Sequence, residues 1–555
     1  MFDQNSLFFK TSKSIAEEFL QTSVIVDDQA YFESNTRARK VQPVPIDNLV
    51  VPGRKRNQEE KKRVKTTRVP PVVDIGIEEE KGSYVLDAQK VINSFAEKQI
   101  VCSVIKPSSD NDWVRSVEKL ASSTDIMILD WEISRDNGKK IKNLLGKILK
   151  ASNQKPKQLR LMVIYTGDPK IAEIAREIKT EIQSKLNVST QKIEEQDNGF
   201  ALVYGSTRIV VFSKPGTDYL PEQYKDRRVE FEQLADRVTA EFTVMTAGLV
   251  SNVAINSLAL IRNSTHKILG KFSIYLDAPY LTHRALLVNP EDAEEFLTEL
   301  IAEELRAILD EESVGRGANL ELIKEWLLSS NKENFVLALN PQISFSLQET
   351  LDILQTGLKD CAKIMSTKKE RPHKLPFTAM FRPDAITHKD LDERFSLITT
   401  IRTRYEKKKP RLTFGTILQR VNDNSFWVCM QPRCDAVRVD SERAFPVLPL
   451  KVCDNDKKFR LILENNGEHI RLSLKDKPYD LDLINFASNP NDNGMIVANL
   501  YQGNYFFKTT KRVRYKWIGE LRPEQAQRIA NEFAANLSRV GLEESEWLRL
   551  WATKG

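Results

Sequence analysis

The sequence predicts a multidomain chain that is α/β first, then α, then β. A doubly wound parallel sheet is followed by a helical middle region and a mostly antiparallel β domain with a terminal helix. Three observations predict this. Short apolar runs alternate with helical stretches through residues 21–217, the pattern of a parallel sheet covered on both faces. Apolar residues then recur every three or four positions from 222 to 310, the period of a helix face. From Arg411 onward the runs become short and strand-like, as in an antiparallel domain.

Length and composition fit this division. The chain has 555 residues, more than one core accommodates. Its net charge of +6 is small for that length and does not by itself argue for nucleic acid. Five scattered cysteines give no disulfide framework, which suits a reducing cytoplasm. The start lacks a basic-then-apolar signal pattern. Residues 242–261 carry no charge, yet Thr243, Thr246, Ser251, Asn252, Asn256 and Ser257 interrupt them. That many polar groups are costly in lipid, so this stretch reads as a buried or interface helix and no membrane partner is expected.

Residues 1–20 read as an N-terminal arm with a helix near 14–21. The run Ser23-Val24-Ile25-Val26 ends in the acidic pair Asp27-Asp28. Adjacent carboxylates repel, and a divalent cation with oxygen ligands relieves the repulsion. Residues 34–82 form a basic, proline-bearing insertion, from Arg37 and Arg39 to Lys65 and Arg68. It buries little and reads as a mobile surface loop. Helices are expected at 85–98 and 113–122, with a strand at 100–105 between them.

The run Ile126-Met127-Ile128-Leu129 stops at Asp130-Trp131-Glu132, and Gly138 follows eight residues after Asp130. A helix over 138–150 leads to the strand 159–165, closed by Thr166-Gly167. After a helix over 170–186, residues 200–204 and 208–212 flank Gly205-Ser206 as a hairpin, and the second strand ends in Ser213-Lys214-Pro215. Parallel strands would bring Asp27, Asp28, Asp130, Thr166 and Lys214 to one rim, where open α/β sheets bind ligands.

An acidic pair after the first strand, an Asp after the third, a hydroxyl after the fourth and Lys-Pro after the fifth resemble the receiver domain of response regulators. The resemblance covers residues 21–217 and implies a flavodoxin-like sheet. It also implies phosphoryl acceptance on Asp130 with Thr166 and Lys214, and Mg²⁺ held by Asp27, Asp28, Asp130 and the Glu132 backbone carbonyl. A cis Lys214-Pro215 bond belongs to the same pattern. The setting it implies is bacterial two-component or phosphorelay signalling, phage defence included, in which this phosphoprotein takes its phosphoryl group from a partner histidine kinase or related ATPase. No conventional enzyme is expected, beyond receiver self-phosphorylation and dephosphorylation. The chain departs from the pattern in the 34–82 insertion, in an extra strand between Thr166 and Lys214, and in Val211 where an aromatic residue is usual. Tyr204 and Phe212 are candidates to replace it. The alternative readings are a receiver-shaped scaffold or adaptor that is not phosphorylated, and a nucleic-acid-binding regulator.

Residues 218–370 read as the helical region, with an apolar stripe running from Phe231 to Leu260 that is compatible with a homodimer through 222–270. His266 precedes Gly270 as in a phosphotransfer helix, but an ordinary helical histidine accounts for it. Residues 371–410 read as a linker, 411–520 as the β-rich domain and 521–555 as the terminal helix with Trp547 and Trp551 packed nearby. The expected strands are 412–418, 425–430, 437–439, 459–464, 469–474, 494–500 and 505–509. Cys429, Cys434 and Cys453 lack a usual zinc spacing. Arg512, Arg514 and Lys516 alternate with Tyr515 and Trp517, which suits either nucleic acid or a charge-protected edge strand. No helix-turn-helix signature supports the former.

Overall fold

The computed structural model describes residues 4–32, 85–107, 112–154, 159–185, 193–288, 290–312, 314–329, 334–337, 340–357, 378–381, 388–404, 408–439, 441–453, 459–538 and 551. The basic insertion at 34–82 lies outside these residues, as does Trp547. The chain gathers into two compact units, Met1–Glu333 with Leu351–Gln355, and Asn334–Thr350 with Thr356–Gly555.

The first unit is built on strands β1 (Thr22–Val26), β2 (Val101–Ile105), β3 (Ile126–Leu129), β4 (Arg160–Thr166), β5 (Ile193–Gln196), β6 (Ala201–Tyr204) and β7 (Thr207–Ser213), in the spatial order β2-β1-β3-β4-β7-β6-β5. The five strands from β2 to β7 are parallel. This is the flavodoxin-like order, extended past β7 by antiparallel β6 and β5. The sheet is therefore mixed, because the tight turn at Gly205 and Ser206 returns the chain beside the same strand.

Successive residues of β3 serve opposite cores. Met127 and Leu129 pack on one face with Ile141, Leu145 and Ile174. Ile126 and Ile128 pack on the other with Phe95, Leu234 and Phe242. The period of two explains why a strand buried on both faces must be wholly apolar. Helices α1 (Leu7–Phe19), α2 (Ala88–Glu97), α3 (Asp112–Leu120), α4 (Lys139–Gln154) and α5 (Ile171–Lys185) alternate with the strands, and α6 (Leu234–Thr246) and α7 (Leu249–Lys271) follow.

Two helical expectations change. The N-terminal arm is a helix that starts at Leu7, because the Ser6 hydroxyl accepts the Phe9 N–H at 3.2 Å and Phe8 and Phe9 are buried. The stripe expected to run unbroken to Leu260 divides at Ala247-Gly248. Thr239, Thr243 and Thr246 each bond back to the carbonyl four residues earlier, which weakens a helix, and Gly248 follows. Asn252 donates to Ser12 Oγ at 3.0 Å, so a polar side chain in the uncharged stretch is paired inside the fold. No helix among the described residues is long and apolar enough to cross a membrane.

The second unit holds the hairpin β8 (Asn334–Leu337) and β9 (Asn340–Ser346), and a nine-stranded sheet. That sheet comprises β10 (Thr416–Arg420), β11 (Phe426–Cys429), β12 (Arg443–Val452), β13 (Leu461–Asn465), β14 (Glu468–Leu474), β15 (Asp482–Phe486), β16 (Asn499–Tyr501), β17 (Asn504–Lys508) and β18 (Arg514–Glu520). Every pairing in it is antiparallel. Sequence reading overlooked β12 and β15 and placed a strand at 437–439. Pro446 and Pro449 argue against a central strand, yet β12 carries both while it pairs with β11, β14 and β15. The terminal helix spans Pro523–Leu537 and buries Ala526, Ile529 and Phe533. Trp551 is exposed rather than packed.

Candidate phosphoryl-acceptor site

The site residues stand one position beyond strands whose ladders still hold them. Asp27 N–H donates to the Ile105 carbonyl at 3.1 Å, Asp130 N–H to Val26 at 2.9 Å and Lys214 N–H to Thr166 at 2.8 Å. The apolar runs end where the sheet meets its carboxyl rim, and the first polar residue past each is fixed there by the sheet. Thr166 is the last residue of β4, wholly buried and in register with Ser213.

Asp27, Asp28 and Asp130 converge, with a carboxylate oxygen from each lying within 4.8 Å of the others. Lys214 comes from the far side of the rim and is almost completely buried. Its Nζ donates to Asp27 Oδ2 at 2.7 Å and to Asp130 Oδ2 at 2.9 Å. Asp27 Oδ1 accepts the Gln29 N–H at 2.8 Å, and Asp28 Oδ2 accepts the Ser134 N–H at 2.6 Å. Asp28 Oδ1 and Asp130 Oδ1 are buried with no hydrogen-bond partner. Two orphaned carboxylate oxygens in a cluster of three acids suit a hard, oxygen-seeking divalent cation such as Mg²⁺.

Burial pushes the Asp130 carboxyl up to about 6. Asp27 and Asp28 add to that shift and Lys214 opposes it. Burial works to lower the Lys214 ammonium, but Asp130 and Asp27 outweigh it and the net shift is upward. Glu132, at the head of the loop to α4, accepts the Asn137 N–H at 3.4 Å. Its carboxyl is raised by burial first and then by Asp136, Asp168 and Asp28. In the same loop Gly138 has φ +70°, and a Cβ there would meet the Trp131 ring at 2.2 Å. Only glycine lets the loop close beneath that ring.

The Thr166 hydroxyl oxygen accepts the Asp168 N–H at 3.1 Å. Its neighbour Tyr165 was not singled out in the sequence. That side chain is buried, donates to the Val229 carbonyl at 2.7 Å and packs edge-on against Phe231 at 6.2 Å. Val229 N–H in turn donates to the Ser213 carbonyl at 3.0 Å, so the segment entering α6 is fastened to the rim. A tyrosine beside the strand-end hydroxyl was the available signal. Val211 lies in one core, Phe212 in the other, and Tyr204 is buried with Val211. The Lys214-Pro215 bond is trans, contrary to expectation.

The other candidates do not form a site. Cys429 is buried, and burial pushes its thiol up to about 12. Cys434 is exposed, and the potential metal cluster found among the described residues is the acidic one.

Residues 19–218 match the family model of the response receiver domain. This match is consistent with a receiver domain in the N-terminal part of the chain. No curated protein and no solved structure matches the chain.

Proposed function

Starting from a receiver domain, we propose that the chain accepts a phosphoryl group on Asp130 and thereby controls its helical and β-rich regions. The observation that carries this reading is Lys214 bridging Asp27 and Asp130 at 2.7 and 2.9 Å while Asp130 Oδ1 has no partner. The Asp130 carboxylate supplies the nucleophilic oxygen. It attacks the phosphorus of a phosphohistidine on a partner histidine kinase or related ATPase. The P–N bond breaks, the imidazole leaves with a proton, and Asp130 becomes an acyl phosphate. Bound through Asp27, Asp28, Asp130 and the Glu132 backbone carbonyl, Mg²⁺ supplies charge neutralisation for the incoming group. Lys214 exchanges one carboxylate for a phosphate oxygen, and the Thr166 hydroxyl donates to the same group.

The output path is supported by the ties from the rim to Val229. Movement of Thr166 toward phosphate displaces Tyr165, and with it the segment that enters α6. Homodimerisation through residues 222–270 belongs to this reading and is supported by Val250 and Leu258, both exposed on α7.

Incubation with acetyl phosphate and Mg²⁺, followed by intact mass, tests the assignment. One phosphoryl group is expected on the wild type and none on Asp130→Asn. An unlabelled wild type, under conditions that label a standard receiver, overturns it. In that case complexes that survive Asp130→Asn would favour a scaffold.

A further inference from the structure

In the second unit, the register of three strands gathers one kind of chemistry on one face. Phe506 lies opposite Lys516 and Asn499, Lys508 opposite Arg514, and Tyr501 opposite Asn504. Opposed residues share a face, so Tyr501, Phe506, Lys508, Arg514 and Lys516 stand together. The alternating residues Phe507 and Tyr515 face the other way, into a core with Trp427 and Phe486.

Tyr501 is 55% exposed, Phe506 is half-buried, and Lys508 and Arg514 are exposed. The two rings lie 6.5 Å apart at 66°. The Arg514 guanidinium sits over both, 6.0 Å from Tyr501 and 5.7 Å from Phe506. Lys516 Nζ reaches Asn465 and Asn466 at 2.8 and 3.0 Å, which brings amides to the margin. Lys511 and Arg512 extend the positive charge into the turn before β18. Between Asp492 and Glu520 the sequence holds these five cations and no carboxylate. Glu442 accepts from Thr510 at that turn.

An edge strand protected by charge needs the cations but not the rings. An exposed ring and a half-buried one beside a cationic track suit a ligand with both a polyanionic backbone and flat faces to stack. An acidic peptide supplies only the first of these. We propose that the β16–β18 face binds single-stranded nucleic acid, with bases on Tyr501 and Phe506 and phosphates on Lys508, Arg514 and Lys516. None of these residues belongs to the receiver rim, and the proposal does not depend on the phosphorylation reading.

Fluorescence anisotropy of the full chain with a labelled oligothymidylate of about 16 nucleotides tests this. Binding is expected to exceed that of a duplex of equal length and to weaken steeply between about 50 and 200 mM salt. Tyr501→Ala and Phe506→Ala should each weaken it about fivefold or more, while Tyr501→Trp retains it. Lys508→Gln and Arg514→Gln should each lower the salt slope by about 0.7. Tyr501 is exposed, so its loss should leave the melting profile unchanged and the comparison valid. Absence of binding at low salt, preference for duplex, or alanine variants that bind like the wild type would each overturn the proposal. The last result would leave only a general anion-binding surface.

Discussion

The two ends of the parallel sheet each hold a carboxylate paired with a cation, but they are finished differently. At the amino end Asp125 accepts from Gln21 N, Thr22 N and Thr22 Oγ1 at 3.1–3.2 Å. It also takes both arms of Arg262 from α7, at 3.0 and 3.3 Å. That guanidinium lies over the Phe19 ring at 4.5 Å and donates to the Phe19 carbonyl at 2.6 Å. At the carboxyl end Asp130 has one oxygen on Lys214 and the other on nothing. A saturated carboxylate is a joint. An unsaturated one, held in place by its own backbone, is free to react.

Lys214→Met should break the contrast most. It leaves Asp27 and Asp130 buried without their cation, an effect of about 3–5 kcal/mol at neutral pH. Native-state hydrogen exchange of the β3 and β4 amides should report it. Millimolar Mg²⁺ should recover much of the loss, because the metal replaces the missing charge. A loss indifferent to Mg²⁺ would count against the metal assignment.

Asp125→Ala should come next, at about 2–4 kcal/mol, from unpaired N–H donors and a stranded guanidinium. The same amides should report it, and Mg²⁺ should change nothing. A Mg²⁺-dependent rescue here would erase the distinction between the two ends.

The smallest effect is one of pH. The Asp130 carboxyl is raised from an ordinary 3.8 to about 6, so the folded state holds its proton more tightly than the unfolded chain does. Its contribution to stability is greatest below the ordinary value and is lost as pH rises through about 6. Metal-free wild type should therefore lose about 1–3 kcal/mol relative to Asp130→Asn between about pH 4 and 7. Exchange corrected for intrinsic rates measures this. A constant difference between the two proteins would show that burial does not govern Asp130.

The acidic end was legible in the sequence, and the joint was not. An apolar run that stops at a charged residue is a local signal: Asp27-Asp28 and Asp130 announce themselves this way, and Lys214 does so one residue after Ser213. The fold brings those four together. Asp125 and Arg262 are separated by 137 positions, and neither flank hints at the other. The same holds for the buried Arg208, which donates to Glu241 at 2.7 and 3.0 Å and opens a strand that otherwise reads as apolar. The break between α6 and α7 was hidden because threonine and glycine leave the apolar period intact while they weaken the helix. In β12, Pro446 and Pro449 interrupt the strand signal, and pairing with β11, β14 and β15 accommodates them.

The Asp125 joint also bears on how the molecule can be divided. Helix α1 before the family match and helices α6 and α7 after it supply Ala16, Phe242 and Ile255 to the core beneath the sheet. A fragment cut at residues 19 and 218 would lose those side chains and Arg262 together, and bare the apolar face they cover. The stretch a family pattern recognises is therefore shorter than the stretch that coheres, and any excised signalling module here must carry its flanking helices with it.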